Sequence, residues 1–216
     1  MPVYRTLFPF FLAFSFTAVY GMQLPGNRAD LKTDIGAYEK LIIHYRYDKP
    51  DSALYFAKKG MELARRTNDQ EGVARMLTQM GMIDDNSGRA DSSRGKYLKA
   101  LEIYEQLGIK KGIIRENIRL GAVENRDGNF DRSNGYFLVA LKLSEKSRDQ
   151  SGIMESYINL GEVSAHRGAI NKAFKYFQRA EAIYHSLPFS NLRLNLYSDL
   201  GAAYRQKGDF ATAVSY

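Results

Sequence analysis

The sequence predicts an all-α fold, a solenoid of stacked antiparallel helical hairpins, and three observations carry that reading. Glycine recurs every forty residues in two columns, Gly81, Gly121, Gly161, Gly201 and Gly88, Gly128, Gly168, Gly208. Small residues recur in phase with them, at Ala53, Ser93, Ser133, Ala173, Ala213 and at Gly60, Ala100, Ala140, Ala180. Within one period the apolar residues fall every three or four positions. A fixed period of this size marks repeats that stack on their neighbours and share one continuous core.

The helices follow from that spacing. Ile153, Met154, Tyr157, Leu160 and Val163 form one apolar face, and Ile170, Phe174, Phe177, Ala180 and Ile183 form the next. Arg167-Gly168-Ala169 separates them, a glycine stop after which the chain turns back. Repeating the argument predicts helices near 70–87, 90–107, 110–127, 130–147, 150–167, 170–186 and 190–207, with turns at Gly88, Gly128, Gly168 and Gly208. A glycine inside a helix costs about 1 kcal/mol relative to alanine. The column through Gly121 and Gly161 therefore points to close helix–helix contact, with Phe177 filling the neighbouring gap.

The residues Leu160-Gly161, Ala173, Phe177 and Ala180, with Leu200-Gly201 and Tyr204 in the next repeat, resemble the tetratricopeptide repeat. The resemblance runs from about Asp30 to the end and implies a right-handed superhelical solenoid of about four and a half hairpins over residues 30–216. The usual period is about 34 residues, so the forty-residue unit adds between one and two helical turns per hairpin. The first hairpin departs from the pattern. Lys40, Leu41 and Asp48 stand where leucine and the two glycines belong, as expected of a terminal, capping repeat.

The ends differ in kind. Residues 1–21 hold a single charge, Arg5, ahead of an apolar run from Leu7 to Tyr20. That composition predicts a secretory signal peptide cleaved after Gly21, followed by a linker at 22–29. The last hairpin breaks off at Tyr216, ten residues short of its siblings, which suggests a fragment of a longer protein. The expected location is therefore exported and periplasmic, with any membrane attachment made through a segment outside this chain.

No catalytic constellation is found. His44, His166 and His185 lack partners at metal-ligand spacing, no phosphate-binding glycine loop occurs, and cysteine is absent. Asp84-Asp85-Asn86 reads as a polar helix end. No cofactor or metal is expected, and the chain is not expected to be an enzyme. The net charge is +7, and the basic residues are spread over every hairpin, which argues against a nucleic-acid track.

The resemblance places the first helix of each hairpin along a concave groove, the usual binding surface of such solenoids. It turns inward Arg75, Met82, Arg115, Ile118, Asn125, Arg126, Glu155 and Glu162. Of these, Arg75, Arg115, Asn125 and Arg126 would form a polar centre, with Met82 and Ile118 as apolar contacts. The expected partner is a protein or peptide segment, acidic or mixed acidic and apolar. Thr78, Met82, Ile118 and Ala122 occupy the positions where relatives that grip chaperone tails carry lysine and asparagine, so that mode is excluded. The functional expectation is a non-catalytic binding scaffold, the exported sensory region of a larger bacterial signalling protein. The alternatives are a cytosolic peptide-responsive regulator of the quorum-sensing type, and the repeat region of an enzyme whose catalytic domain follows Tyr216.

Overall fold

The computed structural model describes residues 34–184, 187 and 191–216. The leader, the linker and His185 lie outside them. Ten helices occur among the described residues: α1 (Ile35–Tyr45), α2 (Pro50–Arg66), α3 (Gln70–Asn86), α4 (Ala90–Leu107), α5 (Lys110–Arg126), α6 (Phe130–Ser147), α7 (Gln150–His166), α8 (Ile170–Tyr184), α9 (Asn191–Lys207) and α10 (Phe210–Ser215). They pair as five hairpins, each packed on the next.

One turn geometry closes almost every helix. Gly88, Gly108, Gly128, Gly168 and Gly208 have φ between +68° and +85°, and Asn68 and Arg148 both have φ of 55°. The following N–H reaches five residues back in each case: Asp69 to Ala64 O (2.8 Å), Asn129 to Glu124 O (2.8 Å) and Asp149 to Ser144 O (2.9 Å). This is the left-handed stop that satisfies the last free carbonyls of a helix. It recurs every twenty residues and serves both the turn within a hairpin and the turn between hairpins. Three of the helices that open a hairpin, α1, α3 and α7, are also capped at their start. Asp34, Asp69 and Asp149 accept from the backbone N–H of Gly36, Gly72 and Gly152 at 2.7, 2.8 and 3.1 Å.

The glycine column is the close contact that the sequence predicts. A Cβ on Gly81 would lie 2.5 Å from the Tyr97 ring, on Gly121 2.5 Å from Phe137, and on Gly161 2.3 Å from Phe177. Each aromatic stands sixteen residues after its glycine and is fully buried. The ring thus lies directly on the glycine rather than in an adjacent gap. Beside it, Ser133 Oγ donates to Gly121 O across the hairpin at 2.8 Å. A second contact, missed in the sequence, joins successive hairpins. A Cβ on Gly112 would lie 2.4 Å from Tyr104, and one on Gly152 2.4 Å from Ser144 Oγ.

The first hairpin obeys the same rule with the volumes exchanged. Leu41 takes the glycine position and Ala57 the aromatic one, and they are 1% and 0% exposed. Both positions stay buried, with the large and the small residue exchanged.

The odd-numbered helices touch across hairpins, α1 on α3, α5 on α7 and α7 on α9, while among the described residues the even-numbered helices have no comparable contacts with one another. A layer that closes up on one side and opens on the other curves the stack. The odd-numbered helices line its inner face.

The interlock predicts a coupled pair. Gly161→Leu should cost about 1–3 kcal/mol by overpacking, and Phe177→Ala about 3–5 kcal/mol by leaving a cavity. The double variant, which copies the first hairpin, should cost less than their sum by about 1–3 kcal/mol. Urea unfolding of the four proteins checks this, and strict additivity would contradict it.

Candidate functional site

Two adjoining cavities occupy the inner face. One, of about 300 Å³, lies over α3 and α5 and is lined by Glu39, Glu71, Arg75, Gln79, Lys111, Arg115, Glu116 and Arg119, among others. The other, of about 330 Å³, lies over α5, α7 and α9 and is lined by Asp85, Ile118, Arg119, Glu155, Glu162, Asn195 and Asp199, among others. Arg119 borders both.

Helix periodicity sorts the charges. On α5, Lys111, Arg115 and Arg119 stand four residues apart and so share one face. The corresponding positions of α7 are Ser151, Glu155 and Asn159, and those of α9 are Asn191, Asn195 and Asp199. The groove is therefore cationic over α5 and anionic over α7 and α9.

Burial shifts the acids at the anionic end. Asp199 is pushed up to about 7 by burial and by the charge of Glu162. Burial also raises Glu155, against the opposing pull of Arg119 and Arg115. In the other cavity Glu116 is 1% exposed, and burial raises its pKa while Arg119 and Thr78 pull it down. Its Oε1 accepts from Thr78 Oγ1 at 2.9 Å and from Arg119 at 3.1 Å. The neighbouring Tyr104 hydroxyl is pushed up to about 12, chiefly by burial.

The sequence-predicted residues fall into three groups. Arg115, Glu155 and Glu162 line the cavities. Arg75 and Arg126 are already engaged. Arg75 pairs in two-pronged fashion with Glu39 on α1, with Nε at 3.0 Å, and Arg126 pairs with Asp85 on α3. Ile118, Asn125 and Met82 serve the packing as much as the surface. Ile118 is 7% exposed and sits in the apolar core as well as on a cavity wall. Asn125, 5% exposed, has its Oδ1 3.0 Å from His166 Nδ1. Met82 is half-buried with its sulfur 3.5 Å from an Arg46 guanidinium nitrogen. Of the four residues expected to form one polar centre, Arg75 and Arg115 line the same cavity, while Asn125 and Arg126 line neither of the two.

Sequence reasoning missed Arg119, Glu116 and Asp199. The signal for the first was the four-residue spacing on α5. For Glu116 it was a carboxylate in the column otherwise held by Met76, Ser156 and Leu196. Asp84 is likewise more than a polar helix end. It is 5% exposed and accepts from Arg89 (2.7 Å), Ser92 and Lys96, tying α3 to α4. Those donors hold its carboxyl below the usual range although burial opposes them.

Residues 152–216 match the tetratricopeptide-repeat family model. That stretch carries tetratricopeptide repeats, and the chain as a whole has a helical-solenoid fold of the tetratricopeptide-repeat kind. No curated protein matches it by sequence. Among solved structures, a Rap protein complexed with competence and sporulation factor superposes with a TM-score of 0.73 at 17% identity, over 82% of this chain and 50% of that one. The apo form of RapI gives 0.69 at 18% identity, over 86% and 54%. BtubC (BKLC) from P. vanneervenii gives 0.60 at 19% identity, over 86% and 87%. At such identities the likeness is one of fold. The chain spans about half the length of the two Rap chains. Among the described residues no group of carboxylates and histidines could hold a metal ion, and no helix is long and apolar enough to cross a membrane.

The raised Asp199 sets a pH dependence. A carboxyl whose folded pKa lies above its unfolded value adds stability at low pH that is lost as pH rises through the folded value, here near 7. Asp199→Asn should therefore be more stable than the parent at pH 8, by about 1–2 kcal/mol after allowance for water in the groove. That advantage should shrink toward pH 4. Thermal melts across this range check it, and a constant difference would contradict the assignment.

Proposed function

We propose that the chain is a non-catalytic scaffold that holds an extended segment of a partner protein or peptide along its inner face. The observation that carries this reading is the charge-divided groove, cationic over α5 and anionic over α7 and α9, on a fold that elsewhere serves binding. The partner segment is correspondingly of mixed charge, with an acidic portion over α5 and a basic portion over α7 and α9. The leader-like composition of residues 1–21 supports export, and with it a role as the sensory or interaction region of a bacterial signalling protein. A second reading, a regulator of the Rap kind, draws on the fold likeness to the Rap protein complexed with competence and sporulation factor. It requires that residues 1–21 are not a leader.

Photo-cross-linking in the native host tests the proposal. A benzoylphenylalanine at Arg115 or Glu155 should give a discrete adduct, recovered from the fraction outside the cytoplasm. One at the exposed Leu138 on α6 should give none. Adducts from Leu138 alone would overturn the groove, and groove adducts confined to the cytoplasm would favour the Rap-like reading.

A further inference from the structure

The fifth hairpin, α9 with α10, is joined to the fourth by a contact unlike those between the earlier hairpins. Where α4 meets α5 and α6 meets α7, a buried glycine lets the helices close up, Gly112 on Tyr104 and Gly152 on Ser144. At the α8–α9 joint the matching residues are Tyr184 and Leu192, both large and both only half-buried. The end of the preceding helix changes as well. Ala64 O, Tyr104 O and Ser144 O each accept from the N–H five residues on, at 2.8, 2.9 and 2.9 Å, whereas Tyr184 O accepts from Leu187 N, three residues on, at 3.2 Å. The consequence shows at the start of α9. Leu194 is 57% exposed, while its counterparts Ala74, Ile114 and Met154 are 0%, 2% and 1% exposed. Further along, Leu196, Leu200 and Ala203 stay buried in one core with Met154 and Phe177, and hold α9 to the stack.

Carboxylates face each other across this joint. Glu155 and Glu162 on α7 and Asp199 on α9 line one cavity, with Leu192 on its wall. The other charged groups on that wall are Asp85 on α3, paired with Arg126, and Arg119 on α5, bonded to Glu116. Among the described residues α8 and α10 contribute none to it. His166 stands 4.0 Å from Glu162 on the same helix.

We propose that the α8–α9 joint is a pH-responsive hinge. With Asp199 protonated, α9 lies closed against α7; with Asp199 and Glu162 both charged, α9 swings away and carries α10 with it. The swing widens this end of the inner face. The closed arrangement buries Asp199 beside Glu162 and pushes its pKa up to about 7. Its stabilisation is therefore complete below the ordinary carboxylate range and is lost as pH rises through about 7. The two arrangements need differ only by their affinity for that proton.

The chain has no cysteine, so pairs of nitroxide labels can be introduced for double electron–electron resonance. One pair, at Lys142 on α6 and Leu194 on α9, spans the hinge. A control pair, at Lys99 on α4 and Lys142, spans a glycine-closed joint, and all three positions are exposed. Between about pH 5 and 8 the hinge pair should broaden and shift by about 2 Å, while the control pair stays fixed. Asp199→Asn should hold the hinge pair at its acid distance throughout. Tyr184→Ser/Leu192→Gly, which copies the α6–α7 joint, should narrow the distribution at both extremes. A hinge pair that ignores pH in the parent chain overturns the proposal. So does a control pair that moves as much, because the motion then belongs to the whole stack, and so does a shift that persists in Asp199→Asn. None of these results bears on the scaffold reading.

Discussion

The structure depends on a ring placed against bare backbone. In three successive hairpins an aromatic side chain fills the space that a Cβ would need on the glycine sixteen residues before it. Burying a large apolar ring is among the strongest favourable terms in folding. Here it also fixes how closely, and in what register, the two helices of a hairpin meet. The same spacing, repeated forty residues on, makes the hairpins alike enough to stack. The close approach of the odd-numbered helices then curves the stack and creates an inner face. The groove and its cavities follow from that contact.

Polar groups fill the places where packing leaves them no solvent. Asp84, Glu116 and Glu124 are buried carboxylates on consecutive odd-numbered helices, at positions that other repeats give to serine, apolar or aromatic residues. Asp84 is met by Arg89 at the start of α4 and Glu124 by Arg94 on the preceding helix α4, and Glu124 also by Asn129 at 2.8 Å. These are structural ties between helices. Glu116 differs because half of its carboxylate is left without a donor while the other half is doubly bonded. The ion pairs Arg75–Glu39 and Arg126–Asp85 span neighbouring hairpins along the inner face. They explain why two arginines that seem available in the sequence are already committed. Arg115, with no such pair, keeps its charge available.

Much of the fold was legible because its causes are local or strictly periodic. Gly88, Gly128 and Gly168 end helices through their own backbone freedom, and the structure puts all three at positive φ. The helix boundaries follow. Less visible was that Asn68 and Arg148 adopt the same left-handed conformation without being glycine, so the twenty-residue half-period was hidden by residue type. The exchange of Leu41 and Ala57 was hidden for a related reason. Each looks like a departure when read alone, and the pattern emerges only when both sides of the contact are known. The site was less legible than the fold. Inward columns could be drawn from periodicity, yet whether Arg75 or Arg115 is free depends on Glu39, thirty-six residues away from Arg75. Similarly, the burial of Ile118 and Asn125 depends on neighbouring helices rather than on their own.

The interlock itself can be observed directly by nuclear Overhauser effects in the isotopically labelled chain. Cross-peaks are predicted from the α-protons of Gly81, Gly121 and Gly161 to the ring protons of Tyr97, Phe137 and Phe177. None should arise from Gly88, Gly128 or Gly168, beside which a Cβ would meet nothing within 4 Å. Glycine α-protons of the first column without ring contacts would contradict the account.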